Sequence, residues 1–124
     1  MTTAAQNTAI FAALTGLVSG RVYPVMFPQQ PLPAWPAIRY TPAGGTTHST
    51  SCGTSAEDDT AVQIDCVAET FDGAVTLAAS ARTALEAITL CPVLADSPAL
   101  CEFDAETRTW RSLQRFTFYP APAA

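Results

Sequence analysis

Apolar residues recur every three to four positions over residues 4–18, with Ile10, Leu14 and Leu17 on one face and Phe11 and Val18 beside them. That period predicts an opening helix, and Gly20 is a stop for it. The pattern then changes. Residues 21–27 (RVYPVMF) predict a short strand interrupted by Pro24, and a proline there marks a sheet edge or a strand end. Four prolines in residues 28–36 (PQQPLPAWP) exclude helix and predict a stiff, extended connection. Residues 37–40 read as a strand with Ile38 and Tyr40 on one face.

Residues 42–59 (PAGGTTHSTSCGTSAEDD) are rich in Gly, Ser and Thr and nearly free of large apolar groups. They predict a long polar loop or hairpin tip. The clearest strand follows at 60–69, where Val62, Ile64, Cys66 and Ala68 alternate with Gln63, Asp65, Val67 and Glu69. Thr70 is an N-cap for a second helix over 71–88, with Leu77, Ala81, Leu85 and Ile88 as its buried stripe. Residues 89–98, with Pro92 and Pro98, predict a connector. A strand at 100–103, a turn at 104–107 and a long strand at 110–119 complete the plan, and residues 120–124 should fray. On the last strand Trp110, Phe116 and Phe118 share the apolar face, opposite Arg111, Leu113, Arg115 and Tyr119. This order predicts an α+β fold: a mostly antiparallel β-sheet with two helices packed on one face, in a single domain spanning 1–124.

At 124 residues and 13.0 kDa, about two thirds of the chain's surface can be buried, enough for a core without metal or disulfide staples. Charged residues make up only 14% against 48% hydrophobic. Two readings fit: a surface partly covered by partners, or an alanine-rich composition that inflates the apolar count. There is no lysine, and six arginines face eleven carboxylates for a net charge of −5. That balance argues against gripping a phosphate backbone, while an acidic wall suits a surface past which DNA slides without sticking. No run reaches the ~18 apolar residues of a membrane span. The N-terminus lacks the features of a signal peptide, so a bacterial cytoplasm, or assembly there, is the expected setting.

Candidate chemistry is sparse. Cys52, Cys66, Cys91 and Cys101 form no C-x-x-C pair and fit no zinc spacing. Cys66 reads as a small hydrophobe, and Cys91 and Cys101 bracket a connection across which they could approach; all are expected as free thiols. His48, the only histidine, lies near Cys52 in a Gly/Ser/Thr loop without the rigid scaffold of a Cys–His or Ser–His pair. Glu57, Asp58 and Asp59 lack the spacing of a calcium loop and read as a solvated acidic turn. No phosphate-binding, hydrolase or metalloprotease motif occurs. Asp65 and Glu69 share one strand face and Arg111 and Arg115 another. If the strands are neighbours they form cross-strand ion pairs, of little weight when exposed or register-setting at a subunit contact. No catalytic residue, cofactor or metal is expected.

Four stretches in this order resemble the small tail-terminator (tail-completion) proteins of long-tailed bacteriophages, over roughly residues 8–119. A leading helix runs into RVYPVMFPQQPLPAWPAIRY, where that family has a strand, a Pro-rich bend and a second strand. A variable polar loop follows. TAVQIDCVAETFDGAVTLAASARTALEAI resembles the family's strand leading directly into an Ala-rich helix, and WRSLQRFTFYP its closing aromatic strand. Cys66 stands where a bulkier residue is common. The resemblance implies a non-enzymatic virion protein, assembled in the host cytoplasm, that forms a homo-oligomeric ring, typically a hexamer. The ring sits at the head-proximal end of the tail tube, ends tube polymerisation and meets the head connector, with DNA passing through without specific binding. Neck and head-completion rings and a small monomeric binding module are the alternatives. Contacts with neighbours are expected at Gly44, Gly45, Thr46, Thr47, His48, Glu57, Asp58 and Asp59 of the polar loop and at Asp65, Glu69, Arg111 and Arg115.

Overall fold

The computed structural model describes residues 3–29, 33–46, 49–50, 53–54, 59–89 and 91–119. The first helix, α1 (Thr3–Leu14), tightens into a 3-10 turn over Thr15–Leu17. Ile10, Leu14 and Val18 are buried, but Leu17 is exposed rather than on the buried face. The tighter turn advances the chain by about 120° per residue instead of 100° and swings Leu17 out of the apolar stripe. Gly20, at φ +85°, ends the element and donates from its N–H to Thr15 O.

The predicted strand at 21–27 shrinks to β1 (Val22–Pro24). It pairs in parallel with β2 (Ala37–Thr46), Val22 opposite Ile38 and Pro24 opposite Tyr40. It is an edge strand, and its outer side is poor in donors. Val22 N–H bonds to Gly20 O, Pro24 has none, and by the alternation of the ladder Tyr23 faces β2. Strand geometry stops at Val25, which takes φ +64° in a three-residue turn closed by Met26 N–H donating to Pro24 O at 2.6 Å.

β2 runs antiparallel to β5 (Asp59–Ala68) from Ala37↔Val67 to Thr46↔Asp59, with the register shifting between Pro42 and Gly45. The polar segment 42–59 is therefore not a loop throughout. Its start continues β2, and within it β3 (Ser49–Thr50) pairs with β4 (Gly53–Thr54). Gly44, at φ +86°, sits in the shifted register, in a backbone conformation that glycine adopts without strain.

α2 (Phe71–Glu86) follows β5 directly. Thr70 Oγ1 caps it by accepting from Gly73 N–H at 3.0 Å. A Cβ on Gly73 would lie 2.7 Å from that hydroxyl, so glycine keeps the cap accessible. Ala74, Leu77, Ala81 and Leu85 form its buried stripe. The expected connector at 89–98 contains a further strand, β6 (Val93–Ala95), which pairs with β8 (Thr109–Phe118). β7 (Leu100–Asp104) pairs with the other end of β8 along the same edge. Proline excludes helix from this segment but leaves a strand of three residues room to pair.

The sheet order is β1-β2-β5-β8-β6, with β7 beside β6 on β8, and only the β1–β2 pair is parallel. Ile10, Leu14, Leu77, Ala81 and Leu85 from the helices meet Ile38, Tyr40, Val62, Ile64, Cys66, Phe116 and Phe118 from the sheet in one core. This is the α+β plan read from the pattern, with both helices on one face. The predicted fraying at 120–124 lies outside the described residues.

Candidate assembly surfaces

The face of the sheet away from the helices is not a plain solvated surface. The segment after β1 folds back so that Phe27 stacks edge-on against Tyr23 and Trp35, at 5.9 and 5.4 Å between ring centres. The Arg39 guanidinium carbon lies 5.4 Å from the Phe27 ring centre. Arg39 reaches Asp65 across the β2–β5 ladder, where the two residues face each other. Arg39 Nε donates to Asp65 Oδ2 at 2.8 Å, Arg39 Nη2 donates to the same oxygen, and Gln63 Nε2 donates to Oδ1 at 3.0 Å. The Asp65 side chain is 0% exposed and that of Arg39 23%.

This arrangement overturns the expected pairing of Asp65 and Glu69 with Arg111 and Arg115. β5 and β8 are neighbours, but Arg111 lies opposite Val67 and Arg115 opposite Gln63, while Asp65 faces Leu113. Arg111 instead reaches Glu102 on β7 at 3.2 Å, and Arg115 reaches Asp96 at 3.2 Å. Glu69 lies in the exposed bend after β5. Both arginines do lie on the last strand, but their partners, Glu102 on β7 and Asp96 just beyond β6, stand on the side of β8 away from β5. Arg39, the partner Asp65 does have, went unnoticed; the sequence signal was an arginine alternating with Ile38 and Tyr40 on a strand.

Of the other expected contact residues, Gly44, Gly45 and Thr46 lie in β2, and Asp59 opens β5 opposite Thr46. Thr47, His48, Glu57 and Asp58 lie outside the described residues. Gly44–Thr46 and Asp59 thus lie at the same end of the β2–β5 pair.

Cys66 is buried in the core, and burial, with the charge of Asp65 adding to it, pushes its thiol up to about 12. Burial also raises Cys91. Both remain protonated near neutrality, which is the state of packing residues rather than nucleophiles. Cys66, Cys91 and Cys101 are free. Among the described residues no group of three His, Cys, Asp or Glu is arranged to hold a metal.

Apolar groups are concentrated at both sheet edges. At the β1 edge Val25 and Met26 are 56% and 64% exposed. At the opposite edge Trp110 stacks on Phe71 and on Phe103, with ring centres 5.2 and 5.0 Å apart, and both phenylalanines stay exposed. A cleft of about 310 Å³ opens between α2 and the β6–β7 link. Charge divides along the chain as well. The first 56 residues carry Arg21 and Arg39 and no carboxylate, whereas all eleven carboxylates come after them.

The family model described as tail completion protein gp17 matches residues 8–119. Ten chains of solved structures match. One of them is a chain in the virion of a native gene transfer agent (GTA) particle, with a TM-score of 0.66 and 18% identity over 93% of each chain. At that identity the likeness is one of fold. No curated protein matches the sequence.

Proposed function

We propose a ring-forming role for this chain, which belongs to the tail completion protein gp17 family. It is a structural protein of a phage-type virion tail. In this reading copies of the chain form a ring, hexameric in the simplest case, at the head-proximal end of the tail tube. The ring ends tube polymerisation and offers its other face to the head connector. DNA passes through the centre; a net charge of −5 with no lysine favours passage over retention.

The observation that carries the reading is the family match over nearly the whole fold. The exposed apolar side chains at two opposite sheet edges support it, because a ring needs two different complementary surfaces on every subunit. The segment of sequence carrying Gly44, Gly45, Thr46, Thr47, His48, Glu57, Asp58 and Asp59 is assigned to contacts with a neighbouring copy or with the tube. Deleting about ten residues between Gly45 and Asp59 is expected to leave a folded subunit that no longer joins tails.

Light scattering over a concentration series with DTT, with and without tail-tube protein, tests the ring. A discrete hexamer-sized species in either condition supports it. A monomer in both overturns it and favours a monomeric binding module. Co-sedimentation with tails rather than with capsids separates the tail-completion role from that of a neck protein on the head.

A further inference from the structure

Resting on the tail-completion reading, though not on the formation of a ring, we propose that one end of the sheet, where Trp35 lines two hollows edged by unpaired carboxylates, docks a lysine- or arginine-bearing face of a partner protein other than this chain.

The end is defined by the register. β5 closes at Ala68 opposite Trp110, and β7 closes at Asp104 opposite Thr109. The bend after β5, the start of α2 and the β7–β8 turn therefore lie together. Trp35 and Pro36 reach the same place from the Pro-rich segment. A hollow of about 620 Å³ has Leu17, Trp35, Pro36 and Leu77 as its apolar walls, with Glu69 and Asp72 among its lining. A smaller hollow of about 190 Å³ is walled by Phe27, Trp35 and Val67, with Asp104 and Glu106 among its lining. At this end, too, Trp110 carries the half-exposed rings of Phe71 and Phe103.

What sets this end apart is the state of its carboxylates. Asp65, Glu86, Asp96 and Glu102 are each paired with an arginine of the subunit. Glu69, Asp72, Asp104 and Glu106 have no ion-pair partner among the described residues. Asp104 Oδ1 accepts from Glu106 N–H at 3.0 Å, which holds the turn but leaves both charges uncompensated. No basic residue lines the larger hollow. In the smaller one Arg39 and Arg111 are already engaged by Asp65 and Glu102. Free carboxylates beside aromatic and aliphatic walls are the complement of a cationic side chain with an apolar stem, which lays its stem along the wall and its charge on the rim.

A second copy has no such face to offer. The chain has no lysine and six arginines. Arg39, Arg82, Arg111 and Arg115 are held by carboxylates of their own subunit. Arg21 donates from Nε to Pro36 O at 2.9 Å, and Arg108 stands on the β7–β8 turn, so both remaining arginines belong to this same end. Two copies meeting through it would set carboxylates against carboxylates. A nucleic-acid backbone is repelled for the same reason. The cations come from a different protein.

Co-sedimentation tests the contact, with tail tubes and heads purified from particles made without this chain. The double variant Glu69→Gln/Glu106→Gln removes one charge from each hollow, at exposed positions whose side chains hold nothing in the subunit. Circular dichroism checks its folding. The expected result is binding to tubes or to heads about tenfold weaker than the parent's. Arg108→Gln should bind more tightly than the parent, and Glu86→Gln, at the far end of α2, should bind as the parent does. A folded double variant that binds both components like the parent overturns the proposal. If that variant instead loses self-association in light scattering, the surface belongs to a second copy, which overturns it equally. An equal loss in Glu86→Gln reduces the effect to net charge and also overturns it. A parent that stays monomeric yet shows the expected losses overturns the ring and leaves this contact standing. A parent that binds neither tubes nor heads overturns the tail-completion reading and this contact with it.

Discussion

Replacing Arg39 by methionine is expected to destabilise the subunit more than replacing its partner Asp65 by asparagine. The asymmetry comes from burial. The Asp65 side chain is fully enclosed, whereas about a quarter of the Arg39 side chain reaches solvent. Removing the guanidinium leaves a carboxylate held only by Gln63 at 3.0 Å, and an unpaired buried charge of this kind costs about 3–5 kcal/mol. The remaining Gln63 bond places the expected loss near the lower end, about 3 kcal/mol. Methionine keeps an apolar stem against Phe27, so most of the loss reports on charge rather than on packing. Asp65→Asn removes the negative charge, keeps an acceptor for Arg39 and leaves a guanidinium that can turn to water, for about 1–2 kcal/mol. With a urea slope of about 1–3 kcal/mol per molar, the Arg39→Met midpoint falls by about 1–3 M. The double variant Arg39→Met/Asp65→Leu should recover most of the loss, because an apolar pair no longer carries a desolvated charge. Equal losses below about 1 kcal/mol for both single variants would refute the argument, since that is the behaviour of a solvated surface pair.

Three further outcomes follow from local geometry. Thr70→Ala is expected to lower stability by about 1 kcal/mol in thermal unfolding. Gly73→Ala is expected to destabilise too, despite alanine's helix propensity, because its Cβ meets the Thr70 hydroxyl at 2.7 Å; the loss should shrink in the Thr70→Ala background. Val25→Gly relieves a β-branched residue at φ +64° and should stabilise the isolated chain by about 1 kcal/mol, read as a higher melting temperature. The Cys66 thiol ionises at about 12 in the folded protein against 9.0 ordinarily, so its contribution is complete below pH 9. It is lost as pH rises from there toward 12, because the unfolded chain releases this proton first, a fall of up to about 4 kcal/mol. Denaturant titrations between pH 8 and 11 should show a shallower decline for Cys66→Ala than for the parent.

What was legible in the chain was what repeats. The stripe of Leu77, Ala81 and Leu85, the alternation of Val62, Ile64 and Cys66, and the cap at Thr70 announce α2 and β5 because many positions agree on one period. β6 was hidden because three residues between Pro92 and Asp96 have no period, and only the neighbouring β8 tells them to pair. Asp65 was misjudged for a different reason. Alternation assigns it to the face opposite the core, and that face is normally wet. Here the Pro-rich segment returns Phe27 and Trp35 to that face, beside Arg39, a long-range event with no local trace. The continuation of β2 to Thr46 has no mark in the sequence because Gly and Thr without large apolar residues look the same in a loop and in a strand. The exposed apolar side chains were harder still: Val25 and Met26 look like core residues in a list of amino acids, and only the turn at Pro24 reverses their meaning.

The lack of a free donor along the outer side of β1 bears on how such a protein survives its own abundance. Proteins with open sheet edges risk zipping together strand by strand, a process with no natural end and a route to insoluble fibres. With the Val22 N–H already turned back to Gly20 and no N–H on Pro24, that growth finds no donor along this flank of the molecule. Copies crowded side by side would be left, on that flank, with contacts that depend on side-chain shape.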